Sequence, residues 1–280
     1  MSLKTKRSFA RRTGRPLSRK SRRPARPARE TSAPVNHPEP LVSVIIPAMN
    51  EAPTIARAIA GARGVHPRCE VIVVANGSMD GTVEIAQSCG ARVISYAEPL
   101  GHDVGRSIGA EVAKGEILLF TDGDLVLSST QLRPFVVAVS GGVDVALNNY
   151  SGPVHRSRPH PVVLSKHVLN IILQRPDLKG CSMTAVPHAL SRKAIQVLGS
   201  DLLSRPPVAY VHAVMEGLRV EPVHIVPVGK INAVRRKKGG RDPLQQLVIA
   251  DHLEAIALLL KRRGNRAGFT DGIRRREMVR

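Results

Sequence analysis

Asp122-Gly123-Asp124 follows directly on the apolar run Ile117-Leu118-Leu119-Phe120-Thr121. Two carboxylates at i and i+2 beyond a strand can turn toward one divalent cation, and hard oxygen donors suit Mg²⁺ or Mn²⁺. A cation held there can neutralise a diphosphate and stabilise it as a leaving group. A lone Asp-x-Asp is more often a solvated turn, so this one draws its weight from its place at the end of a buried strand. Asn50-Glu51 and Asn76-Gly77-Ser78 stand at the ends of two other apolar runs. Three polar clusters on one sheet edge count for more than any one alone, because ligands of open α/β sheets sit at the carboxyl ends of the strands.

The elements that must position these clusters are legible as alternating runs. Residues 41–46, 70–75, 91–96, 116–121 and 143–147 are apolar and rich in β-branched side chains, which predicts buried strands. Between them, residues 51–63, 82–89, 102–114 and 131–139 fit helices, the first with its apolar residues on one face. Strands and helices alternating at this pitch predict an α/β fold: a mostly parallel sheet flanked by helices. Beyond residue 150 the pattern loosens. It predicts helices over 162–174, 191–198 and 208–215, a strand over 180–186, an extended segment over 218–228 and a long amphipathic helix over 243–263.

Composition sets the outer limits. The chain has 280 residues, 42% of them hydrophobic, which excludes disorder along its whole length. Lys and Arg number 42 against 22 acids, a net charge of +20. Residues 1–40 carry +10 and residues 230–280 carry +9, which leaves +1 for the middle. A nucleic-acid-binding domain would carry its cations on the folded body, and seven aromatics with no Trp make no base-stacking platform. Both facts argue against a nucleic-acid partner. Residues 1–40 are expected to be a disordered basic tail, either a solvated extension or an arm for an anionic surface. No apolar run is long enough for a transmembrane helix, and the N-terminus lacks the apolar core of a secretory signal. Cys69, Cys89 and Cys181 form neither a disulfide framework nor a CxxC metal site. The expectation is a cytoplasmic protein, with peripheral contact to an anionic membrane left open.

Four blocks in order, Val42 to Glu51, Asn76 to Thr82, Gly105 to Ala110 and Asp122 to Asp124, resemble the family 2 glycosyltransferases over residues 41–150. The resemblance implies the GT-A (Rossmann-like) fold and transfer of a sugar from a nucleotide-diphosphate donor, UDP- or GDP-linked. It implies that Pro47, Met49, Asn50 and Glu51 lie against the base and ribose. Met49 stands where the family often has an aromatic, and a thioether can still pack on a base. Asn76, Gly77 and Ser78 match the second nucleotide loop, where Asn76 replaces an acid and can still donate to and accept from a base edge. Arg106 matches an arginine near the donor phosphates. Asp122 and Asp124 match the metal motif, with Asp124 on the metal and Asp122 near the ribose or the metal. Asp80 reads as a helix cap, and Asn50-Glu51 can also serve as a helix start.

Inverting members of that family place an acidic pair before a helix as the general base. Here the residues before helix 208–215 are Ser204-Arg205-Pro206-Pro207, and Asp201 is the remaining candidate, with Glu216 behind it. Retaining GT-A enzymes, such as the glucosyl-3-phosphoglycerate synthases, also resemble this half through Asp122-Gly123-Asp124-Leu125. They need no such acid, and a distal His can complete the metal shell. His224 is the first candidate for that role, with His188 and His212 after it. The basic block Lys230 to Arg241 could close over a diphosphate or grip an anionic acceptor.

The expected organisation is a tail over 1–40, a GT-A domain over 41–230 and a basic loop with a C-terminal helix over 231–280. The domain divides into a nucleotide-sugar half, 41–150, and an acceptor half, 151–230. The expected activity is metal-assisted transfer of a sugar to an unidentified acceptor, anionic or lipid-linked. The rival readings are a non-catalytic nucleotide-sugar-binding protein and an adaptor that holds membrane or nucleic acid with its basic arms.

Overall fold

The apolar runs become the strands of one seven-stranded sheet, seen in a computed structural model that describes residues 35–154, 157–231 and 243–270. The first half comprises β1 (Val42–Ala48), α1 (Ile55–Arg63), β2 (Cys69–Asn76), α2 (Thr82–Ser88), β3 (Arg92–Tyr96), α3 (Val104–Val112) and β4 (Ile117–Phe120). The second comprises α4 (Ser129–Ser140), β5 (Val145–Asn148), α5 (Pro161–Ile172), β6 (His188–Ser191), α6 (Arg192–Leu198), α7 (Pro206–Met215), β7 (Val220–His224), α8 (Val228–Ile231) and α9 (Pro243–Arg263). The strand order is β3-β2-β1-β4-β6-β5-β7, and β6 alone runs antiparallel to its neighbours. The carboxyl ends of β1, β2 and β4 therefore share one edge, and the three polar clusters meet there.

Burial on both faces explains why the central strands are apolar runs. Ile45, Ile72, Leu118 and Phe120 face one core with α3, α5, α6, α7 and α9. Val44, Ile46, Val71 and Val73 face the other with α1 and α4. Two close approaches set the site. A Cβ on Gly109 would stand 2.4 Å from Ile45, and one on Gly105 3.0 Å from Pro47, so the small face of α3 lies directly on β1. A Cβ on Gly61 would stand 1.9 Å from the carbonyl oxygen of Leu127, on the segment descending from Asp124. Gly61→Ala is therefore expected to displace that segment and cost about 1–3 kcal/mol, read as a lower urea midpoint.

The structure departs from the sequence expectations at several points. Residues 180–186 are not a strand. Ser182 Oγ accepts from the Thr184 amide and the Ser182 carbonyl from the Ala185 amide, which makes a turn, and the strand begins only at His188. The extended segment is shorter than 218–228, because Val228 already opens α8. α1 starts at Ile55, so Asn50 and Glu51 belong to the loop before it rather than to its first turn. Residues 36–40, assigned to the tail, run along the start of β2: Asn36 exchanges two hydrogen bonds with Val71, at 2.9 and 3.1 Å. The rest of the basic tail, to residue 34, and residues 232–242 of the basic loop lie outside the described residues. Among the described residues no helix is long and apolar enough to cross a membrane.

Candidate donor site at the carboxyl edge

The loops after β1 and β2 form one side of a cleft of about 460 Å³. They are bound to each other. Asn50 takes a left-handed conformation, φ 57°, which Asn tolerates better than most residues. That turn lets its Oδ1 accept from the Met79 amide at 2.9 Å while its own amide donates to Ser78 Oγ at 3.1 Å. The Glu51 amide donates to Thr82 Oγ1, and the Ala52 amide to Asp80 Oδ2. Asp80 also accepts from the Thr82 hydroxyl and amide. The Thr82 hydroxyl bond, above all, lowers the Asp80 pKa. The N-cap of α2 is Gly81, not Asp80 as read from the sequence; Asp80 instead accepts from the first helical residue, Thr82, and staples the β1 and β2 loops together.

Pro47, Met49, Glu51, Asn76, Arg106, Asp122 and Asp124 all line the cleft. Asn50, Gly77 and Ser78 stand behind them in the same two loops. Asn76 spends a donor on the Gly101 carbonyl and an acceptor on the Leu100 amide, both at 2.7 Å. It therefore fixes the loop that brings Pro99, Gly101 and His102 to the rim.

Arg106 is the buried centre of the site. Its Nη1 stands 2.6 Å from Asp103 Oδ1, and its Nη2 donates to Asp122 Oδ1 at 3.3 Å. Burial opposes the guanidinium charge, but Asp103 and Asp122 outweigh it and raise its pKa. Nε has no hydrogen-bond partner, and the short Asp103 contact is an ion pair without hydrogen-bond alignment. The site thus holds a desolvated cation whose donors are not all used, beside the end of β4.

His188, at the start of β6, pairs in register with Phe120 and stacks on its ring at 5.0 Å. Burial, and then the Arg106 cation, push its imidazole down to about 3. It is neutral in the folded protein, whereas the unfolded residue takes up a proton near 6.5. Between those values the unfolded chain binds more protons, so stability falls with falling pH, by about 1.4 kcal/mol per pH unit for this group. His188→Phe keeps the stack and is expected to flatten the acid slope of urea midpoints. An unchanged slope would show that another group carries it.

The metal-ligand candidates divide. Asp122 and Asp124 share the turn after β4 and line the cleft together. His188 faces a cation. His224 packs edge-on against Phe135 at 6.2 Å, and His212 sits in the last turn of α7 near Arg262 and Glu216. None of the three joins the carboxylates, and among the described residues no three His, Cys, Asp or Glu side chains make a metal cluster. Two carboxylates on an open cleft still fit Mg²⁺ or Mn²⁺, which take few protein ligands and complete their shell with water and substrate phosphates. Asp201 is not among the cleft residues. It opens a 3₁₀ turn packed on α3, where its carbonyl accepts from Ser107. The sequence reading missed Asp103 and the place of His188. The i, i+3 spacing of Asp103 and Arg106 at the head of a helix was the available signal for the first.

Residues 43–196, more than half of the chain, match the model of glycosyl transferase family 2. Glycosyltransferase AglE of Haloferax volcanii is 39% identical over 119 residues, 39% of each chain, so this chain spans about two fifths of that relative's length. Glucosyl-3-phosphoglycerate synthase of Mycobacterium tuberculosis is 27% identical over 254 residues, covering 80% of this chain and 74% of that one. A crystal structure of the M. tuberculosis enzyme with Mn²⁺, UDP-glucose and phosphoglyceric acid superposes with a TM-score of 0.55 at 25% identity, covering 83% of this chain and 82% of that one.

Proposed function

The chain belongs to glycosyl transferase family 2, and on that premise we propose that it moves a sugar from a UDP-linked donor to an anionic acceptor with Mg²⁺ or Mn²⁺. The observation that carries the reading is the convergence of Asp122, Asp124 and the buried Arg106 on one cleft at the end of β4. Asp122 and Asp124 are the residues that would hold the metal. Bound there, the cation would supply charge neutralisation to the departing diphosphate. Arg106, held in place by Asp103, adds a preorganised positive charge on the same side. The braced loops at Pro47–Glu51 and Asn76–Ser78 hold the base and ribose. The acceptor class is inferred from two facts: relatives named for phosphoglycerate, and ten Lys and Arg against four acids over residues 151–230. The boundaries 41–150 and 151–230 stand as the proposed donor and acceptor halves.

We further infer that the reaction needs no enzymatic base at Asp201. Loss of a general base costs about 10²–10⁴-fold, whereas Asp201→Asn is expected to leave turnover within a small factor of wild type. With it goes retention of anomeric configuration, checked by the product's anomeric proton coupling. The experiment that tests the function is release of nucleoside diphosphate from UDP-glucose and GDP-glucose with Mn²⁺, with and without 3-phosphoglycerate. Acceptor-stimulated release of UDP is expected. No release from either donor with any anionic acceptor would overturn the catalytic reading and leave a nucleotide-sugar-binding protein.

A further inference from the structure

α5 turns Val163 and Leu169 to the core, and Leu173, its C-cap residue, follows them. An amphipathic surface helix carries polar residues on its other face. Here Leu164, Val168 and Ile171, spaced i, i+4 and i+7, are 48%, 44% and 56% exposed. Single exposed apolar residues are ordinary, but a row of them along one helix marks an interaction surface.

Cations stand at one end of this row. Arg263 Nη1 reaches the Leu173 carbonyl at 3.5 Å, and Gln174 Nε2 the Ala267 carbonyl at 3.4 Å, so α9 ends against the end of α5. That end carries Lys261, Arg262 and Arg263, with Arg266 just beyond; Arg262 is paired with Glu216 at 3.0 Å, which leaves Lys261 and Arg263 as the cations of the last turn. Phe269 follows, 47% exposed. Apolar residues for the acyl boundary, an aromatic at its level and Lys/Arg beside them are the features of a surface that lies in a lipid interface. The long Lys and Arg stems let their charges reach headgroups while the chain stays in contact with apolar surface.

We propose that this α5–α9 face docks the protein on an anionic lipid surface, with Leu164, Val168 and Ile171 entering the boundary between headgroups and acyl chains. Charge decides between lipid and a second copy of the chain. A second copy of this face offers those cations no carboxylate from α5, whose sequence contains no Asp or Glu. Lipid phosphates neutralise the same cations. The proposal rests on the anionic-surface reading of the charge and not on the donor site.

The chain has no tryptophan, so Val168→Trp in the full-length protein gives a single reporter on the stripe. Its emission is expected to shift to the blue with phosphatidylcholine vesicles that contain phosphatidylserine, and not with phosphatidylcholine alone. Leu164→Ser/Val168→Ser/Ile171→Ser is expected to keep its thermal midpoint and lose about tenfold or more in vesicle affinity by cosedimentation. The absence of a shift would overturn the proposal. So would cosedimentation of the triple variant at wild-type affinity, which would assign lipid binding to the basic ends alone. A shift that grows with protein concentration in the absence of vesicles would make a second copy the occupant. UDP binding, measured separately, leaves a failure here distinct from a failure of the donor site.

Discussion

Arg106→Met is expected to lower both folding stability and donor affinity. The substitution removes the partner of Asp103, whose carboxylate is buried beside it at 2.6 Å. Leaving one member of a buried pair uncompensated costs about 3–5 kcal/mol. The same change removes the desolvated cation beside Asp122, so UDP affinity should fall as well. Arg106→Lys separates the two effects. It keeps the charge and loses the fork that spans Asp103 and Asp122, so stability should recover in part while binding stays weak. Urea denaturation and UDP titration on both variants check this. A Met variant with wild-type midpoint and wild-type affinity would show that Arg106 neither holds this edge together nor meets the donor.

Asp124→Ala is expected to have the larger effect on chemistry and a small one on folding. Asp124 sits in the turn after β4, partly exposed, outside both cores. Its loss takes away one of the two carboxylates able to hold the cation. Removing a single preorganised stabiliser of developing charge costs about 10²–10³-fold in turnover, and a divalent cation carries more charge than one such donor. Turnover should therefore fall by at least that factor, with loss of Mn²⁺ dependence and a thermal midpoint close to wild type. Excess Mn²⁺ that restored full turnover would point to a metal held without Asp124.

The donor half was legible in the sequence because its chemistry lies on strand ends. β1, β2 and β4 are buried on both faces, so each reads as an unbroken apolar run, and the first polar residue after each run marks the edge. Asp122 and Asp124 were found that way. The acceptor half was legible in its helices, read over 162–174, 191–198 and 208–215 and found as α5, α6 and α7, but not in its strand over 180–186. β6 is four residues long and antiparallel, and its first residue, His188, looks like a surface polar group until Phe120 is seen beneath it. Asn76 was placed in the right loop but read for its side chain's reach to a base. The structure shows that side chain engaged with the Leu100 and Gly101 backbone, a contact no local pattern encodes.

The cleft at the end of β4 is expected to bind a nucleoside diphosphate through a divalent cation on Asp122 and Asp124. Calorimetric titration of UDP into the wild-type protein and Asp124→Ala, each with and without Mn²⁺, tests it most directly. Binding that requires Mn²⁺ in the wild type and is lost in the variant is the predicted result. UDP affinity that is the same with and without Mn²⁺, and the same in the variant, would contradict it.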